Sequence, residues 1–171
     1  MQTKAYKITI LASVIAILIS SFTVGRQIYL NKSPDLLSFS LIHFGGYLFF
    51  LLMPVELLFI YYLVQGFNIP VLLIVALATA IVAQIIDYLI GYLVSRQVIN
   101  NIIGTERYKK TKAYIDKYGD AAVFVFNALP LSSSILSLVA GMLRYRFRNL
   151  LIYSFSGLLL KYTVIVLLFE L

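Results

Sequence analysis

The sequence contains no cysteine and a single histidine, His43, in 171 residues. Without thiols there are no disulfide frameworks, thiolate metal sites or cysteine nucleophiles. One imidazole rules out a multi-histidine metal centre. Charge is also scarce: 12% of residues are Asp, Glu, Lys or Arg, against about 25% in an ordinary soluble domain. There is no P-loop, no H-E-x-x-H pair, no G-x-S-x-G elbow and no tight carboxylate cluster for a divalent metal. These absences predict a protein that is not an enzyme and carries no cofactor and no metal.

What the chain has is apolar side chains. Hydrophobic residues make up 61% of it and the mean hydropathy is +0.95, where soluble domains are about 45–50% apolar. There is too little polar surface to keep a 19.3 kDa globule in water, so residues 1–171 read as one membrane domain. The net charge of +7 then belongs to a membrane surface, and no nucleic-acid partner is expected.

Hydrophobic runs occupy 8–24, 45–64, 70–95, 121–143 and 149–169, each near the roughly 20 residues a spanning helix needs. The first follows Lys4 and Lys7, precedes Arg26 and lacks an A-x-A cleavage pattern, so it reads as a retained signal anchor. Basic residues test the topology. Arg96, Arg107, Lys109, Lys110, Lys112 and Lys117 make 96–120 the densest basic loop, and Arg144, Arg146 and Arg148 form a second cluster. Positive loops stay cytoplasmic. Five full crossings cannot place both clusters and the N-terminus on that side.

The conflict disappears if 45–64 and 121–143 enter the membrane and return. Each run has a break, at Pro54 beside Glu56 and at Pro130 between Asn127 and Ser134; proline removes a backbone donor and interrupts a helix. The alternative is that both prolines only kink full spans. With the hairpins, the fold is an all-α polytopic membrane protein. It has three transmembrane helices (8–24, 70–95, 149–169) and two opposed re-entrant helical hairpins. A cytoplasmic interfacial helix spans 105–118, with Thr105 as N-cap and Gly119 as stop; a solvated basic loop is the rival reading. Residues 26–44 read as a polar outer connection.

Three charges fall inside apolar runs: Glu56, Asp87 and Lys161. Each costs about 2.5–3.5 kcal/mol at mid-bilayer on insertion scales, so it must face a partner or a cavity. Gln84, Asp87, Tyr88 and Gly91 share one helical face, and so do Ser154, Gly157 and Lys161. An Asp87–Lys161 or a Glu56–Lys161 pair is feasible. Such ions either lock helices together or serve a transport path. Ser132, Ser133 and Ser134 either cap a half-helix whose N-terminus binds an anion, with Asn127 as a further donor, or satisfy only their own helix.

Pro54-Val-Glu56, Asp87-Tyr-Leu-Ile-Gly91-Tyr, Tyr118-Gly119, Phe126-Asn-Ala-Leu-Pro130, Ala140-Gly141-Met142, Arg144–Arg148 and Gly157 stand in a telling order. In that order the chain resembles the DedA family, whose shared region is also called the VTT or SNARE-associated Golgi protein domain. The resemblance covers roughly Gly45 to Tyr162. It implies two opposed re-entrant hairpins and movement of phospholipids or polyprenyl phosphates between leaflets, in some members driven by the proton-motive force. Glu56 and Asp87 then fall at positions of functional acidic residues. The family's second hairpin usually carries an Arg-x-x-Pro motif followed by another arginine. Asn127 stands at the first of these and Ser133 near the second, which marks a divergent branch.

The expectation is a lipid transporter, flippase- or scramblase-like, in the cell membrane. It handles a phosphate-bearing lipid with a proton link, and its N-terminus and 96–120 loop are cytoplasmic. Glu56, Asp87 and Lys161 are the transport candidates, and Asn127 with Ser132, Ser133 and Ser134 the headgroup candidates. Membrane lipids are the expected partners, and assembly into a homo-oligomer is left open. Two alternatives stand beside this: a proton-coupled small-solute transporter, and a structural subunit without transport.

Overall fold

The computed structural model describes residues 35–48, 55–93, 105–129 and 133–170. The first hydrophobic run, Pro54, Pro130 and Ser132 lie outside the described residues. Within them the chain is all-helical: α1 Leu36–Tyr47, α2 Val55–Val64, α3 Ile69–Leu93, α4 Thr105–Tyr118, α5 Asp120–Ala128, α6 Ser133–Met142 and α7 Phe147–Glu170.

Length separates these helices into two kinds. With 25 and 24 residues, α3 and α7 run about 36 Å at 1.5 Å per residue, more than the roughly 30 Å of a hydrocarbon core. They are also the two described helices apolar enough to cross a membrane. The helices α1, α2, α5 and α6 have 12, 10, 9 and 10 residues and reach about 14–18 Å. Each covers about half a bilayer core.

The short helices pair end to end. Phe39, near the start of α1, packs on Tyr62 near the end of α2 at 5.1 Å between ring centroids, while Tyr47 and Glu56 at the opposite ends share Lys161. So α1 and α2 are antiparallel. At the base of the second pair, the Asp120 carboxylate that opens α5 accepts from the Tyr145 hydroxyl just beyond α6. It also accepts from Asn149 at 3.1 and 3.2 Å, and Leu129 turns extended as α5 ends.

α1 starts well before Gly45. The Asp35 side chain accepts the Ser38 N–H at 2.7 Å and caps the helix there, so the stretch read as a polar connection is helical from Leu36 onward. The helix expected at 105–118 forms over those residues. Gly119 stops it in the left-handed region (φ +52°), where glycine meets no Cβ penalty. Tyr108, Thr111 and Ile115 are its buried face.

Two apolar cores stack along α3 and α7. One joins α1 and α2 to the first half of α3 and the second half of α7, through Phe39, Phe59, Leu72, Ala76, Ala80, Leu158 and Tyr162. The other joins α4, α5 and α6 to the remaining halves, through Tyr88, Ile115, Val123, Leu136, Val139 and Leu150. Between α3 and α6 the backbones nearly touch: a Cβ on Gly91 would overlap the Leu138 carbonyl, and one on Gly141 the Tyr88 carbonyl. Much of the outward surface stays apolar, with Leu57, Val64, Ile74, Leu93 and Leu168 each at least 61% exposed.

Candidate functional site

A polar layer crosses the molecule where the two cores meet. Its centre is Lys161, side chain 6% exposed, whose ammonium donates to Glu56 Oε1 at 2.8 Å and to the Tyr47 hydroxyl at 2.9 Å. Of the two partners the sequence allowed, Glu56 is the one at ion-pair distance. Its carboxylate opens α2, where the helix dipole favours a negative charge. The ammonium also lies 5.4 Å from the ring centre of Tyr162, near enough for cation–π attraction.

The bonds continue inward. Tyr47 and Tyr162 hydroxyls are 3.1 Å apart, Tyr162 reaches His43 Nε2 at 2.7 Å, and His43 Nδ1 reaches Thr79 Oγ1 at 2.7 Å. Donor inventory fixes the direction. Thr79 spends its only proton on the Val75 and Ala76 carbonyls, so it accepts from His43 Nδ1–H. His43 Nε2 therefore accepts from Tyr162, Tyr162 from Tyr47, and Tyr47 from Lys161. The chain runs one way, from the ammonium to a backbone carbonyl, with every hydroxyl giving one proton and taking one. A neutral imidazole with its proton on Nδ1 satisfies it.

A second polar cluster lies at the broken end of α5. Asn127, fully buried, accepts from Gln84 Nε2 at 2.6 Å and donates to the Val123 carbonyl at 2.9 Å and to Ser154 Oγ at 3.1 Å. Ser137 donates to Gln84 Oε1 at 3.3 Å. Gly157 of α7, beside Asn127, gives α5 room, since a Cβ there would meet the Phe124 carbonyl and the Asn127 Cβ. Asp87 is fully buried on the same face of α3 as Gln84. Ser133 and Ser134 are buried in the first turn of α6, and Ser134 Oγ donates to the Tyr47 carbonyl. Tyr47 thereby joins the two pairs of short helices, its hydroxyl on Lys161 and its carbonyl on Ser134.

The sequence-predicted residues fall into two groups. Glu56 and Lys161 bond directly, with Ser134 one residue away through Tyr47; Asn127 belongs to the Gln84–Ser154 cluster, and Asp87 shares the Gln84 face. Residues 43, 47, 79 and 162 escaped sequence reasoning, which used His43 only to exclude a metal. The available signal was the i, i+4 spacing of His43 and Tyr47 on one helical face, obscured by reading 26–44 as a connection. Outside the apolar segments, hydrogen bonds from Tyr145 and then Asn149 hold the Asp120 carboxyl below the usual carboxylate range. Burial, followed by the bond to Asp120, pushes the Tyr145 hydroxyl up and keeps it a donor.

Comparison with curated proteins and with solved structures returns no match. The VTT domain profile matches residues 38–171, from the first turn of α1 onward, and so includes all four short helices and the whole polar layer. The chain therefore belongs to the VTT domain family, a membrane-associated family of transporter type.

Proposed function

We propose that the protein moves a phosphate-bearing lipid between leaflets, with the Glu56–Lys161 pair at the centre of the path. In this reading α3, α7 and the 8–24 run cross the membrane, and α1–α2 and α5–α6 are re-entrant hairpins entering from opposite faces, all within one domain. The observation that carries it is the ion pair itself, a carboxylate and an ammonium 2.8 Å apart within apolar helices. Charges at such depth are expensive and mark pathways by default.

The chemistry follows from the donors. Lys161 offers the phosphate a cation, and the first turn of α6 offers backbone N–H groups beside Ser133 and Ser134. A phosphate can replace the Glu56 carboxylate on Lys161 once Glu56 takes a proton, which supplies the proton link. The Glu56 side chain, 22% exposed, is the more accessible partner. The polar atoms of Asn127 already serve protein partners, so a headgroup contact there requires α5 to move.

The test is a vesicle assay of fluorescent phospholipid and polyprenyl phosphate exchange, with and without a proton gradient. Glu56→Ala and the milder Glu56→Gln are expected to abolish exchange while remaining folded. Unchanged exchange by folded protein overturns the role. A structural lock is the second reading, favoured by the completeness of the hydrogen-bond chain. It predicts that the double variant Glu56→Gln with Lys161→Met, if stable, exchanges lipid like the parent. Flux of a small solute driven by the pH gradient, with no lipid exchange, points instead to a solute carrier.

A further inference from the structure

An apolar groove lies away from the polar layer, on the face where α4 meets α5. One face of α4 carries Lys110, Ala113, Tyr114, Lys117 and Tyr118, at i, i+3, i+4, i+7 and i+8. Against it, Ala121, Ala122, Val125 and Phe126 of α5 complete an apolar groove of about 450 Å³ with Tyr114 and Tyr118. Tyr114 packs edge-on to Phe126 at 5.6 Å and stacks on Tyr118 at 6.4 Å, so two walls of the groove are aromatic. Lys110 and Lys117 line the adjoining pocket at its rim.

Charge bookkeeping on α4 separates these two lysines from their neighbours. Lys109 pairs with Glu106 and Lys112 with Asp116. Among the described residues Lys110 and Lys117 have no carboxylate partner, and the Lys117 ammonium rests 4.9 Å from the centre of the Tyr118 ring. Two cations without a carboxylate partner therefore stand at the edge of a groove without charge in its walls. A phosphate on the lysines and an acyl chain along the aromatic walls satisfy both halves at once. A zwitterionic headgroup brings no net charge to the lysines.

We propose that this groove seats one anionic glycerophospholipid, its phosphate on Lys110 and Lys117 and one acyl chain between α4 and α5. The site is distinct from the exchange path. It rests on the membrane reading above only in requiring that α4 lie at the interface. A lipid held there clamps α4 onto α5, beside the base that Asp120, Tyr145 and Asn149 tie together.

The chain has no tryptophan, so a single indole reports on one position. In vesicles, Tyr118→Trp is titrated with brominated phosphatidylglycerol or brominated phosphatidylcholine, and Leu160→Trp on α7 serves as a control. The expected result is about a thirtyfold lower half-quenching fraction for phosphatidylglycerol at Tyr118→Trp, of the size two lysines near an anionic lipid provide, with no preference at Leu160→Trp. Lys110→Gln with Lys117→Gln should remove the preference and leave quenching by phosphatidylcholine intact. Ala121→Phe, an exposed position that fills the groove, should weaken quenching by phosphatidylglycerol; mere charge attraction predicts no such change. Equal quenching by the two lipids, or an Ala121→Phe variant like its parent, overturns the lipid seat and leaves the exchange reading standing. Quenching at Leu160→Trp but none at Tyr118→Trp overturns the interfacial placement of α4 and the seat with it.

Discussion

Lys161 holds its charge in an apolar setting because three groups share the cost: the Glu56 carboxylate at 2.8 Å, the Tyr47 hydroxyl at 2.9 Å and the Tyr162 ring, its centre 5.4 Å away. Removing either member of such a pair strands the other, which costs more than the pair contributes. Lys161→Ala should destabilise the protein by about 3 kcal/mol, the low end for a broken buried pair because Glu56 keeps some access to water. Lys161→Met with Glu56→Gln should lose less than Lys161→Ala alone. SDS unfolding in mixed micelles measures both, and a double variant weaker than the single one contradicts the account. Sequence alone led to Glu56 and Lys161, since a charge in an apolar run is conspicuous. It did not lead to Tyr47 or Tyr162, because a tyrosine among thirteen looks like any other aromatic. Their role comes from a chain of hydrogen bonds between residues more than 110 positions apart, and no local pattern encodes that.

Helices of 9 to 12 residues are marginal alone in water and gain their stability by packing. Here that packing depends on small residues. α6 lies backbone to backbone on α3 at Gly91 and Gly141, where the obstacle to an added methyl is a carbonyl of the facing helix rather than a movable side chain. Gly91→Ala and Gly141→Ala should each cost about 3 kcal/mol, the upper part of the range for overpacking; Leu93→Ala, on the exposed side of the same helix, should cost well under 1 kcal/mol. Thermal unfolding in detergent separates these cases, and equal losses at buried and exposed positions contradict the close-contact account. Element boundaries were legible where punctuation is strong: Thr105 and Gly119 bracket α4, and the run from 70 to 95 matches α3, Ile69–Leu93, to within two residues at either end. The start of α1 was not. Asp35 lies within the stretch 26–44 that reads as a polar connection, and a carboxylate that suits a turn equally caps a helix.

At the scale of the molecule, the polar layer falls near the middle of both long helices. α3 contributes Thr79 and Gln84 from a helix spanning Ile69–Leu93, and α7 contributes Ser154, Lys161 and Tyr162 from one spanning Phe147–Glu170. From that level α1 and α2 run back along the Ile69 half of α3, and α5 and α6 run back along its Leu93 half, as the two apolar cores divide. Short helices that meet at a common level and diverge in opposite directions are what two hairpins entering from opposite faces require. Two full spans in place of each hairpin would need about 20 residues per arm, and no described arm exceeds 12. In the arrangement proposed above, the Leu93 end, with α4 and Arg144, Arg146 and Arg148, is the cytoplasmic one, as positive segments favour, and the turn between α2 and α3 faces outside. In this cysteine-free chain, Asn68→Cys should react with a membrane-impermeant maleimide from outside intact cells. Glu106→Cys on α4 and Phe147→Cys at the start of α7 should react only after permeabilisation. Labelling of Asn68→Cys and Phe147→Cys from the same side would mean that α3 and α7 do not carry the chain across as the hairpins demand, and the opposed arrangement would fall.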